Sequence, residues 1–114
     1  MVNISSCKTA RHYCWGANAE GWHLLESDSL SVIEELLPPN EAEQRHYHAK
    51  AQQFFYILAG ICHLEVAGEV FEITPGSGLH VPAGEPHQLF NRGKEVLRIL
   101  VISEPKSHGD RIYA

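Results

Sequence analysis

Rhythm constrains this chain more than any other feature of its sequence. Short runs rich in β-branched and aromatic residues recur every 8 to 12 residues, and Gly, Pro or Asn closes most of them. The runs are Trp22–Glu26, Leu30–Leu37, Gln44–His48, Gln53–Ala59, Ile61–Ala67, Val70–Thr74, Gly78–Val81, His87–Phe90 and Val96–Ser103. Helical periodicity is poor almost throughout. Ser31–Leu37 comes nearest to a helix, but β-branched Val32 and Ile33 and the Pro38-Pro39 stop favour a strand there. Ala67-Gly68 sits between two runs as a hairpin turn should, and Pro75-Gly76 ends another run. This spacing predicts an all-β sandwich or barrel.

The length of 114 residues fits one domain able to bury a core without staples. Residues 1–20 show no clear pattern and are expected to form a lead-in that packs on the barrel or on a dimer partner. The barrel spans 21–104, and 105–114 form a tail. Acidic residues outnumber basic ones by 14 to 9, and no basic run exceeds one residue, which argues against nucleic acid and an anionic membrane surface as partners. The longest apolar run, Phe54–Cys62, is nine residues, far short of the roughly 20 a helix needs to cross a bilayer. Met1–Arg11 carries no apolar signal region, and three cysteines (Cys7, Cys14, Cys62) suit no disulfide framework. A cytoplasmic location is the expectation that follows.

Eight histidines stand against four lysines. His46 and His48 flank Tyr47 in a strand candidate, and residues two apart on a strand face the same way. The pair therefore either converges as metal ligands do or forms two solvated surface histidines. Gln53 follows His48 by five residues, and Gly60 follows Gln53 by seven. Downstream, Gly76, Pro82, Gly84, His87 and Asn91 spell G-x5-P-x-G-x2-H-x3-N without a gap. For this composition, and with independent positions, chance gives that pattern on the order of once in ten thousand such chains.

At these residues the chain resembles the cupin superfamily, whose two motifs read G-x5-H-x-H-x3–4-E-x6-G and G-x5-P-x-G-x2-H-x3-N. The second motif is complete. The first departs twice, with Asn40 at the leading Gly and Gln53 at the Glu. The resemblance covers residues 40–91 by motif. It implies an all-β fold, a single cupin jelly-roll barrel (a double-stranded β-helix).

The resemblance further implies that His46, His48 and His87 ligate one divalent transition metal per chain (Zn, Ni, Mn, Fe or Cu), with Gln53 at the fourth position. Gln53 either ligates through its amide oxygen or stands beside a three-histidine site. Four neutral ligands would leave the full charge on the metal, so that bound water is more acidic and an anionic or chelating ligand binds more readily. Phe55 and Ile57 share the face of Gln53 by alternation and are expected to line the pocket. Tyr47 and Arg98 are further pocket candidates, although Arg98 could simply pair with a carboxylate. No residue stands out as a base in place of the missing Glu.

Two function classes follow. One is a metal-dependent enzyme acting on a small, anionic or sugar-like metabolite, of isomerase, epimerase or dioxygenase type. The other is a non-catalytic, metal-dependent module that binds or senses a small molecule. By family analogy a homodimer is expected, with residues 1–20 or Ser103–Ala114 at the contact.

Overall fold

The computed structural model describes residues 2–114, which form eleven strands and no helix. The strands are β1 (Arg11–Trp15), β2 (Ala19–Glu26), β3 (Ser31–Leu37), β4 (His46–His48), β5 (Gln52–Ala59), β6 (Cys62–Val66), β7 (Glu69–Ile73), β8 (Gly78–Val81), β9 (His87–Phe90), β10 (Leu97–Glu104) and β11 (Arg111–Tyr113). They build two antiparallel sheets. One has the order β1-β2-β3-β10-β5-β8, and the other β11-β4-β9-β6-β7. The radius of gyration, 13.4 Å, matches the value of about 13 Å expected for one domain of this length. This is the all-β architecture that the rhythm of the sequence predicts, in the jelly-roll form that the resemblance implies.

Alternation positions the site. On β10, Leu97, Ile99, Val101 and Ser103 are buried while the residues between them are not. On β5, Gln53, Phe55 and Ile57 turn inward with them, paired in register with Ser103, Val101 and Ile99. Leu37, Ile57, Cys62, Leu64, Leu89, Leu97 and Ile99 are fully buried and form the apolar part of the interior. Polar side chains, His46, His48, His87, Gln53 and Ser103, occupy the rest. The β6–β7 turn has positive φ at both Ala67 and Gly68, the geometry of a tight two-residue hairpin.

Two turn positions explain features of the motifs. Asn40, where the resemblance leads one to expect glycine, has φ 71°, and asparagine is among the few non-glycine residues that tolerate this region. Gly60 has φ 80°, and a Cβ there would lie 2.5 Å from the Val96 carbonyl oxygen, so conformation and space both demand glycine. Asn91 is buried. Its Nδ2 donates to the carbonyls of Leu37 and Glu95 at 2.9 Å each, and its Oδ1 accepts from the Gly93 N–H. Its role is to tie the connection between β9 and β10 to the end of β3.

The ends of the chain correct the sequence reading. Residues 1–20 are not a patternless lead-in, because β1 and the start of β2 lie within them and extend the larger sheet. Residues 105–114 are not merely a tail, because β11 pairs with β4. Both strands are edges with mostly exposed side chains, so the hydrophobic alternation that marks a strand is absent from their sequence.

Candidate metal centre

His46 opens β4 and His87 opens β9, and the two face each other as a register pair. Each turns its Nδ1 back to the carbonyl two residues earlier: His46 to Gln44 at 2.7 Å, His87 to Glu85 at 2.9 Å. A ring that donates from Nδ1 presents Nε2 as a lone pair, and the carbonyl fixes its orientation. His48, two residues along β4, shares the face of His46. One ring nitrogen from each of the three can be chosen so that all lie within 4.8 Å of one another. The rings meet at centroid separations of 4.5, 4.9 and 5.9 Å.

The donor atoms have no other employment. Both ring nitrogens of His48, the Nε2 of His87 and the Oε1 of Gln53 are buried and unpartnered. Buried polar atoms without partners are rare, because each forfeits its hydration. Gln53 Nε2 donates to Ser103 Oγ at 3.0 Å, which leaves Oε1 as the free end. Burial holds the imidazoles neutral: it pulls His46 down to about 3, pulls His48 down to about 4 with help from His87, and lowers His87. Neutral imidazole is the form that binds metal. The residues present therefore fit a divalent transition metal.

A cavity of about 650 Å³ adjoins this cluster, and His46, His48, Gln53 and Phe55 are among its walls. The other proposed pocket residues are elsewhere. Ile57 is sealed in the apolar core, one row deeper than Phe55. Tyr47 points away from the cavity, between two inward histidines. Arg98 lies on the outer face of β10, paired with Glu34 and over the Trp22 ring at 5.4 Å. Strand parity decides the last two, since odd positions on β10 and even positions on β4 face inward.

The cavity also holds groups that sequence reasoning missed, among them Glu35, Glu43, Tyr13 and Arg111. Glu35 and Glu43 are carboxyls in this cavity that the sequence reading, which found no residue standing out as a base, did not single out. Tyr13 Oη donates to Glu35 Oε2 at 2.9 Å. Burial pushes Glu35 up to about 7, against the Tyr13 hydrogen bond and the Arg111 charge. Glu43 is pushed up to about 8, first by burial and then by the Glu35 charge, while Arg111 and the Leu89 N–H oppose the rise. Glu43 Oε2 lies 3.9 Å from His46 Nδ1, and its Oε1 accepts from Leu89 N–H at 2.9 Å. Arg111 stands opposite His48 in register, on the same face of the sheet. On β3, Glu35 shares parity with buried Ser31 and Leu37, which turns it toward the interior.

The profile of the family described as Cupin domain matches residues 33–103. An uncharacterized protein of Methanocaldococcus jannaschii is 32% identical over 81 residues, covering 70% of this chain and 65% of that protein. The polyketide synthase CurC of Streptomyces cyaneus is 29% identical over 70 residues, 61% of this chain and 46% of CurC. The chain thus spans between about half and two thirds of the length of these relatives. Among solved structures, the polyketide cyclase RemF of Streptomyces resistomycificus superposes with a TM-score of 0.85 at 19% identity. That match covers 100% of this chain and 86% of RemF.

Proposed function

The chain belongs to the cupin family, and from that footing we propose that it holds one divalent transition metal on His46, His48 and His87, with Gln53 Oε1 as a fourth donor, and acts on a small metabolite in the adjoining cavity. One observation carries the reading: ring nitrogens of the three histidines converge, and orphaned, buried atoms of His48, His87 and Gln53 lie beside a cavity wide enough for a small organic molecule. Three imidazole nitrogens and an amide oxygen suit zinc, nickel, manganese, iron or copper, not a cation that wants only oxygen. Such a metal supplies Lewis acidity to a carbonyl oxygen or a bound water.

The protein's own contribution is orientation and charge. The Gln44 and Glu85 carbonyls set the rings of His46 and His87, and Ser103 sets Gln53. Phe55 gives the cavity an apolar wall, while Arg111 offers a cation and Glu35 and Glu43 offer carboxyls. A small oxygen-bearing metabolite with an anionic end complements this lining. Two of the similar proteins are named for polyketide synthesis and cyclisation, which is consistent with a carbonyl-bearing ligand.

Cobalt(II) titration tests the reading. The parent should develop the visible absorption of cobalt on nitrogen and oxygen ligands and saturate at one ion per chain, and His87→Ala should weaken or abolish it. Absorption no different from cobalt in buffer would overturn the metal. A metabolite that binds to the loaded protein and returns unchanged would make it a binding module instead of an enzyme.

A further inference from the structure

Three neighbouring strands place Tyr13, Gly21 and Glu35 in one cross-strand row: Tyr13 pairs with Gly21, and Gly21 with Glu35. Gly21 is what lets the outer two meet. A Cβ at that position would lie 2.2 Å from Tyr13 Cζ and 2.4 Å from its Oη. With no side chain in the way, the phenol lies across β2 and donates to Glu35 Oε2. The row continues into Ile99 and Ile57, both fully buried, so the far side of the carboxyl is apolar.

A carboxyl on the inner face of a barrel wall is a poor packing residue. Leucine or valine would fill the space without desolvating a charge. Among the described residues no cation forms an ion pair with Glu35, and the Tyr13 hydroxyl is the one donor that bonds it. The second oxygen is free for a ligand in the cavity that Glu35 lines. The titratable and charged groups facing it are Tyr13 from β1, Glu43 from the segment before β4 and Arg111 from β11. His23 on β2 and His46 on β4 line the same cavity, and β10 presents only Ile99 in register. The aliphatic surroundings keep the carboxyl near the point where it can both take and return a proton at neutral pH.

We propose that Glu35 is the proton-transfer group of this cavity, positioned by Tyr13, and that the ligand is a small 2-oxo acid with an acidic C–H beside its carbonyl. This rests on the metal reading above, which holds the carbonyl oxygen at the histidine end, and Arg111 meets the ligand's carboxylate. In the step, the C–H bond next to the carbonyl breaks and its proton passes to a Glu35 oxygen. The electron pair left on carbon forms a C=C bond, and the carbonyl π pair moves onto oxygen. Return of a proton from Glu35 to carbon reverses the step, or isomerises the ligand if another carbon receives it. No oxidant or reductant is consumed. A cluster of metal ligands beside a poised carboxylate is the arrangement such proton transfers need.

Pyruvate is the probe. Zinc-loaded protein is incubated with pyruvate in D2O, and loss of the methyl proton signal is followed by NMR against free zinc at equal concentration. The parent should exchange the methyl protons at least tenfold faster than free zinc. Glu35→Gln should keep its zinc, melt no lower than the parent, and fall to the free-zinc rate. Tyr13→Phe keeps the carboxyl but loses the donor that favours its ionised form, so the rise of rate with pH should move to higher pH. Independently of activity, the Glu35 carboxyl carbon, followed by 13C NMR in the parent, should titrate well above an ordinary glutamate and higher still in Tyr13→Phe. A parent that binds zinc but exchanges no faster than free zinc overturns the inference and leaves the metal site standing. So does a Glu35→Gln protein that exchanges like the parent. A parent that takes up no zinc overturns the metal reading itself. If Glu35→Gln does not fold, Glu35→Asp decides, because a carboxyl withdrawn by one methylene should lose most of the exchange.

Discussion

Replacing Gln53 by Glu probes the candidate centre from both sides, because the same charge that would help a metal hurts the empty site. Gln53 is 5% exposed, its Oε1 has no partner, its Nε2 is bonded to the Ser103 hydroxyl, and it lines the same cavity as His46 and His48. A carboxyl there should, like Glu35 and Glu43 in the same cavity, titrate well above the roughly 4.3 of an unfolded chain, because burial penalises its charge. A folded value above the unfolded one means that the variant loses stability as pH rises between the two. The loss is absent below about pH 4 and, for a rise of about 3 units, reaches roughly 4 kcal/mol at pH 8, at 1.36 kcal/mol per unit. For a chain of this size that lowers the metal-free melting temperature at pH 8 by about 15 °C relative to the parent. With metal the sign reverses. Unit charges 4 Å apart attract by about 4 kcal/mol at an effective dielectric constant of 20, and shedding the last of the proton at pH 8 costs little of this. Affinity should therefore rise roughly 30- to 1,000-fold, worth about 2–4 kcal/mol. Chelator competition at pH 8, beside melts of both metal-free proteins at pH 4 and pH 8, reads both halves. Equal affinity within twofold together with equal melting at both pH values would refute the placement of Oε1 in a dry donor cluster.

Asn91→Ala leaves two carbonyls and one N–H without their partner in a buried setting, and should cost about 2–4 kcal/mol, read from urea unfolding. Gly60→Ala meets both a left-handed φ and the Val96 carbonyl, and should cost about 3 kcal/mol or more. Glu35 has a folded value of about 7 against an ordinary 4.5, so it lowers stability as pH rises through that window. Glu35→Gln should accordingly gain about 1–3 kcal/mol over the parent at pH 8 and nothing at pH 4, by urea unfolding at the two pH values. A variant less stable than the parent at pH 8 would mean that the carboxylate is paired better than its surroundings suggest.

The sequence made some parts of this molecule legible and hid others, for physical reasons. His46 and His48 could be placed on one face because strand parity is strict, whereas His87 and Gln53 were legible only through the positions they hold in the two motifs of the resemblance. Asn91 and Gly60 were visible as turn formers, but what they bond or approach was not. The strands β1 and β11 were hidden because edge strands expose most of their side chains, and of these two strands only Tyr13 and Trp15 of β1 turn large side chains inward. Glu35 was concealed by its neighbour. In the pair Glu34-Glu35 either residue could face inward, and only the register against Ile99 and Gly21 selects the second. Glu43 and Arg111 lie in and after loops, where no periodicity speaks for the direction of a side chain. Arg98 went the other way: its parity on β10 is opposite to that of buried Leu97 and Ile99, and it pairs on the outer face with Glu34.

Metal on the three histidines is the central claim, and elemental analysis of the untagged protein as purified tests it most directly, beside the double variant His46→Ala, His48→Ala. The expected result is near one equivalent of a transition metal in the parent and none in the variant, with the β-sheet circular dichroism of both unchanged. Equal metal in both proteins, or none in the parent even after incubation with zinc, manganese, iron or nickel, would contradict it.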